Sequence, residues 1–135
     1  MKELILGGAR SGKSRLAESR AEQIATAENL QLVYIATGQP GDREMAARIE
    51  HHQARRSNAW QLIEEPVALA DLLQQHASER HCILVDCLTL WLSNCLFADD
   101  AQCWARQSEQ LLEILPQLPG PIFFVGNEVG MGVVP

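Results

Sequence analysis

Residues Gly7 to Ser14 read GGARSGKS, and their types and spacing suit a loop that wraps phosphate groups. Glycine at positions 7, 8 and 12 lets the backbone turn so that successive N–H groups face phosphate oxygens, with Ala9, Arg10 and Ser11 completing the turn. Lys13 is positioned to reach the β and γ phosphates. The Ser14 hydroxyl can complete the coordination of a Mg²⁺ ion that otherwise keeps water and phosphate oxygens. A glycine-rich turn matching by chance is the competing reading. The flanks argue against it: Lys2 to Leu6 (KELIL) is a short apolar strand and the segment from Arg15 (RLAESRAEQIA) has helical composition, so the loop falls at a strand-to-helix junction.

A second group of reactive side chains lies in Glu44 to Arg56 (EMAARIEHHQARR). At about 100° per residue, Arg48, His52 and Arg56 form one row of a helix, with His51 and Arg55 beside it. Together with Arg43 they make a local anion site in an otherwise acidic protein. A histidine between guanidinium groups stays neutral and nucleophilic toward phosphorus, and the arginines spread the charge that develops on the transferring group. A solvated helix face with weak pairs among Glu44, Arg48 and Glu50 is the alternative. A third candidate is Asp86, which closes the strand ILVD as a metal-side carboxylate opposite Ser14, or else caps the helix that begins at Leu88.

These groups need elements to hold them. Gln31 to Ala36, Trp60 to Glu64, His81 to Cys87 and Pro121 to Val125 read as further strands. Glu44 to Arg56, Val67 to Ala77, Leu88 to Phe97 and Cys103 to Leu115 read as helices. The alternation predicts a single P-loop NTPase-like domain over 1–135, with a doubly wound, mostly parallel sheet and helices on both faces. Ligands of such sheets bind at the carboxyl ends of the strands. That singles out Gly7 to Ser14, Thr37 to Gln39, Asp86 and Gly126 to Gly130.

Composition narrows the function classes. The 135 residues carry 11 basic and 17 acidic side chains, a net charge of −6 that argues against a nucleic-acid-binding surface. The most apolar stretch, Cys82 to Phe97, is interrupted by Asp86, Thr89, Ser93 and Asn94, which speaks against a membrane span. The sequence reads from Met1 straight into a strand, so no signal peptide is expected and a cytoplasmic location is. Cys82, Cys87, Cys95 and Cys103 lack zinc-site spacing and read as free thiols.

In order and spacing, GGARSGKS, YIATG (Tyr34 to Gly38), EMAARIEHH with Arg56 and Trp60 following, EEP (Glu64 to Pro66), VDCLTLWLSN (Val85 to Asn94) and GNEVGMGVVP (Gly126 to Pro135) resemble a known family. It is the bifunctional adenosylcobinamide kinase / adenosylcobinamide-phosphate guanylyltransferase family of cobalamin biosynthesis, matched over essentially the whole chain. The resemblance implies two transfers: phosphorylation of adenosylcobinamide by a nucleoside triphosphate (ATP or GTP), then transfer of GMP from GTP through an enzyme histidine to give adenosylcobinamide-GDP. The family's motif puts that histidine four residues after the arginine of the ARI element, at His52, with His51 a competitor. It also implies a nucleotide near Thr37, Gly38, Gln39, Glu64 and Asp86, and a homo-oligomer, trimers being known. Family members continue past GVVP with a further helix and strand. The resemblance therefore implies that the C-terminal part is missing here, leaving the sheet short of a late strand. A kinase of another small metabolite and a GTP-holding regulatory module are the alternative functions that the loop alone would allow.

Overall fold

Short apolar runs between breakers become strands of one sheet in the computed structural model, which describes residues 1–7, 12–38 and 60–127. Among these residues the strands are β1 (Lys2–Gly7), β2 (Gln31–Ala36), β3 (Trp60–Glu64), β4 (His81–Asp86) and β5 (Ile122–Asn127). They lie in the order β1-β5-β4-β2-β3, and every pairing is parallel. The helices are α1 (Lys13–Glu28), α2 (Leu69–His76), α3 (Leu88–Leu96) and α4 (Cys103–Ile114), the last followed by a 3-10 turn, Leu115–Gln117.

Side chains alternate across a strand, so the strands inside the sheet feed two cores. On one face Ile5, Leu32, Tyr34, Cys82, Leu84, Phe123 and Val125 meet Ala17, Ala21 and Ala25, a row of small residues at helical spacing that lets α1 lie close to the sheet. On the other, Val33, Ile35, Ile83, Val85, Ile122 and Phe124 pack with Leu69 and Leu73 of α2, Trp91 and Cys95 of α3, and Cys103 and Leu111 of α4. This two-sided burial explains why β4 and β5 are apolar runs without alternation. Leu4 and Leu6 of β1 stay half exposed, at 52% and 55%.

Several boundaries differ from the sequence expectation, each because of a specific hydrogen bond. β4 stops at Asp86 rather than Cys87, since Cys87 turns to cap α3: its Sγ accepts from Leu90 N at 3.4 Å. That removes Asp86 as the cap. α2 starts at Leu69 rather than Val67, because a Glu65 carboxylate oxygen takes the N–H groups of Val67 (3.1 Å) and Ala68 (3.0 Å) in a preceding turn. β5 runs two residues further than expected, to Asn127, where it still pairs with Gly7 of β1. The cysteines are free thiols as expected, and burial pushes the Cys82 thiol up to about 12, with Glu28 adding to the effect. Burial, and then Cys103 beside it, likewise raise Cys95 to about 12. Among the described residues no helix is long and apolar enough to cross a membrane.

Candidate active site

Parallel pairing brings the strand ends into one row. Gly7 pairs with Asn127, Asp86 with Val125 and with Ala36, and Ala36 with Glu64. The chain leaving β2 heads outward to β3, whereas the chain leaving β4 returns through α3 and α4 to β5. The connections therefore diverge between β2 and β4, and a divergence of this kind is where ligands of such sheets usually bind, in a crevice at the strand ends. Thr37 and Asp86 stand on its two sides.

At the β1 end, Gly12 adopts φ 77° and ψ 14°, a left-handed conformation that glycine takes without strain, and its carbonyl receives the first helical hydrogen bond, from Leu16 N at 3.1 Å. A β-carbon there would meet nothing within 4 Å, so the requirement for glycine is torsional, not steric. Among the described residues no side chain caps α1, whose start carries the partial positive charge of a helix N-terminus. Lys13 and Ser14 occupy that turn, half-buried. α1 then crosses β4 and β5 on the face where, by strand alternation, the Asp86 side chain also lies.

The β2 and β4 ends are cross-tied. Thr37 is fully buried; its Oγ1 donates to Cys87 O at 2.8 Å and accepts from Cys87 N at 2.9 Å, while its N–H donates to Asp86 O at 3.1 Å. Asp86 is only 2% exposed, and its Oδ2 accepts the Tyr34 hydroxyl. The Asp86–Cys87 peptide is cis. From α3, Asn94 Nδ2 donates to both Thr37 O (2.8 Å) and Pro66 O (2.9 Å), fastening the loops after β2 and β3 together. Thr89 Oγ1 takes Asn127 N at 2.8 Å and so fixes the end of β5. One short helix thus ties down three of the strand ends.

Of the expected site residues, Gly7, Gly12, Lys13, Ser14, Thr37, Gly38, Glu64 and Asp86 fall on this carboxyl edge, with Glu64 exposed at its outer end. Gly8, Ala9, Arg10, Ser11, Gln39, Arg48, His51, His52, Arg55 and Arg56 lie outside the described residues, as does Glu128. Sequence reasoning did not single out Tyr34, Glu65, Thr89 or Asn94 for the edge. Thr89 and Asn94 did leave a signal: polar residues breaking an apolar helix that packs on a sheet need partners, and strand-end backbone is what lies nearby. Among the described residues no three His, Cys, Asp or Glu side chains gather into a metal cage. The hard oxygens at the edge, the Ser14 hydroxyl and the Asp86 carboxylate, are the donor types suited to a cation that keeps most of its ligands as water and phosphate.

Comparison with known proteins gives this edge its context. A family model described as cobinamide kinase / cobinamide phosphate guanyltransferase matches residues 3–135. The bifunctional adenosylcobalamin biosynthesis protein CobP of Pseudomonas aeruginosa is 55% identical over 135 residues, which is 100% of this chain and 76% of the relative. Proteins named bifunctional adenosylcobalamin biosynthesis protein CobU, from Escherichia coli and Salmonella typhimurium, are 37% and 38% identical over 145 residues, covering 98% of this chain and 77% of each relative. The chain belongs to the cobinamide kinase / cobinamide phosphate guanyltransferase family, transferases of cobalamin biosynthesis.

Proposed function

We propose that this edge supports two successive transfers. In the first, the hydroxyl on the aminopropanol arm of adenosylcobinamide attacks the γ phosphorus of ATP or GTP, the β–γ bridge breaks, ADP or GDP leaves and the hydroxyl proton is released to solvent. In the second, an imidazole nitrogen of His52 attacks the α phosphorus of GTP, the bond to the bridging oxygen breaks and pyrophosphate leaves. A phosphate oxygen of adenosylcobinamide phosphate then attacks the same phosphorus. The P–N bond breaks, the imidazole is restored and adenosylcobinamide-GDP departs.

Each residue has a part in this reading. The backbone of Gly7 to Gly12 and the Lys13 ammonium hold the phosphate chain, while Thr37, Gly38, Gln39 and Glu64 border the nucleotide. Arg48, Arg55 and Arg56 balance the charge that builds on phosphate oxygens around His52. Ser14 and Asp86 are the residues that would hold Mg²⁺. When bound, the ion neutralises phosphate charge and orients the chain for in-line attack. A hydroxyl and a buried carboxylate suit it, since both are hard oxygen donors and leave the remaining positions to water and phosphate.

One observation carries the proposal: strand register aligns Gly7, Asp86, Ala36 and Glu64 along a single edge, the edge at which α1 starts after Gly12. The test is incubation with GTP labelled at the α phosphorus and, in parallel with cobinamide added, at the γ phosphorus. A covalent adduct labile in acid and stable in base is expected, lost in His52→Ala and retained in His51→Ala. Label moving to cobinamide from the γ position alone, with no adduct, would leave a simple kinase. Tight GTP binding without any transfer would leave a nucleotide-holding module.

A further inference from the structure

Tyr34 lies within β2, short of the carboxyl edge, with its ring buried at 3% exposure in the core beneath α1. Its register partner on β4 is Leu84, so Asp86, two residues on and facing the same way, is its diagonal neighbour. The Tyr34 hydroxyl spans that diagonal and donates to Asp86 Oδ2. Behind it, the ring meets Trp60 of β3 edge-on, with centroids 5.9 Å apart and planes at 80°. Trp60 Nε1 in turn donates to Glu22 Oε2 of α1 at 3.1 Å. A line of contacts thus runs from α1 through β3 and β2 and ends on the carboxylate at the crevice.

A phenylalanine ring would fill the same space and keep the edge contact with Trp60, so removing the oxygen alone isolates its bond, which holds one Asp86 oxygen and restrains the carboxylate. A carboxylate that meets a cation in one orientation gains affinity from being held there beforehand. We propose that Tyr34 is a positioning residue: its hydroxyl fixes Asp86 in the orientation that meets the Mg²⁺ of the bound nucleotide. This rests on the reading of Asp86 as the metal-side carboxylate.

The test uses Mn²⁺ as a paramagnetic stand-in, titrated by electron paramagnetic resonance into the protein saturated with guanosine 5′-(α,β-methylene)triphosphate, whose α–β bridge resists attack at the α phosphorus. Tyr34→Phe should weaken Mn²⁺ binding by about tenfold, the effect of one charge-assisted hydrogen bond. Binding of the same nucleotide in EDTA should change less than about twofold, because on this proposal the hydroxyl acts through Asp86 and the metal. Unchanged Mn²⁺ affinity in Tyr34→Phe, alongside its loss in Asp86→Asn, overturns the role of Tyr34 alone. Retained Mn²⁺ affinity in Asp86→Asn overturns both the role and the reading beneath it. Tyr34 is also the single tyrosine of the chain, so its ultraviolet resonance Raman doublet reports on this hydroxyl in the unaltered protein. The doublet should be that of a strong donor and should change with metal and nucleotide together but not with nucleotide in EDTA. A doublet indifferent to the metal, or identical in Asp86→Asn, refutes the proposal whether or not Tyr34→Phe folds.

Discussion

Replacing Thr37 with valine exchanges a hydroxyl for a methyl at nearly constant volume, in a position with no access to water. The oxygen it removes makes two bonds to Cys87, accepting from N at 2.9 Å and donating to O at 2.8 Å. The two losses are unequal. Cys87 O keeps a second partner, Trp91 N at 3.2 Å, so losing the Thr37 donor costs about 1 kcal/mol. Cys87 N is left facing a methyl group, and losing its Thr37 acceptor costs about 1–3 kcal/mol. Against this, burying the added methyl returns about 0.8 kcal/mol. The net destabilisation is about 2 kcal/mol, which in a domain of this size lowers Tm by about 6–10 °C. Thr37→Ser keeps both bonds and gives up only a methyl, costing about 1 kcal/mol. Urea unfolding of the three proteins should therefore rank wild type above serine above valine. A purely apolar role for the side chain gives the opposite order for the two variants, with valine at least as stable as wild type. Finding valine more stable than serine would refute the claim that this hydroxyl ties β2 to β4. A nucleotide dissociation constant raised in Thr37→Val but not in Thr37→Ser would extend the tie from stability to function.

Two further perturbations act on neighbouring parts of the structure. Asn94→Asp keeps the shape but replaces the two donations to Thr37 O and Pro66 O with a negative oxygen facing two carbonyls. A loss of about 3 kcal/mol is expected in urea unfolding at neutral pH, and a change below about 0.5 kcal/mol would contradict the clamp. Cys82 is held protonated, its pKa raised from 9.0 to about 12 mainly by burial. A raised folded-state pKa means that the unfolded chain releases its proton first as pH rises. The contribution is complete below pH 9 and is lost between there and about 12, with a slope of up to about 1.4 kcal/mol per pH unit. Unfolding midpoints across pH 8–11 in Cys82→Ala and in the parent check this at about half-unit steps: the parent should lose stability more steeply, and parallel curves would remove Cys82 as the cause.

Much of the fold was legible because two periodicities dominate the sequence. β2 and β3 have the expected bounds, and the runs at β4 and β5 are apolar throughout because both sheet faces are covered. The errors fall where a distant partner decides. The run HCILVDC leaves the strand end open between Asp86 and Cys87; Thr37, fifty residues earlier in the chain, engages both the N–H and the carbonyl of Cys87 and takes that residue out of the strand. The start of α2 depends on Glu65, whose place in EEP reads equally well as part of a loop. The site divides in the same way. Gly12, Lys13 and Ser14 announce themselves by type and spacing, since the local backbone makes the loop. Tyr34 looks like one more apolar strand residue, because its reach to Asp86 is a property of how β2 and β4 are registered.

The interruptions in Cys82 to Phe97 acquire a different meaning once these bonds are known. As composition, Asp86, Thr89 and Asn94 only make the stretch too polar to cross a membrane. In the folded chain Thr89 holds the end of β5 and Asn94 the loops after β2 and β3, while Cys87 caps the helix that carries them both. A helix serving only as cover for the sheet would place apolar side chains at these positions and gain burial energy without any need for partners. Polar groups there leave an apolar core only where each finds its acceptor or donor, which fixes the relative positions of the strand ends in a way that packing alone does not. α3 therefore functions as a brace for the carboxyl edge. Loss of either polar group should change how that edge meets its ligand as well as the stability of the fold.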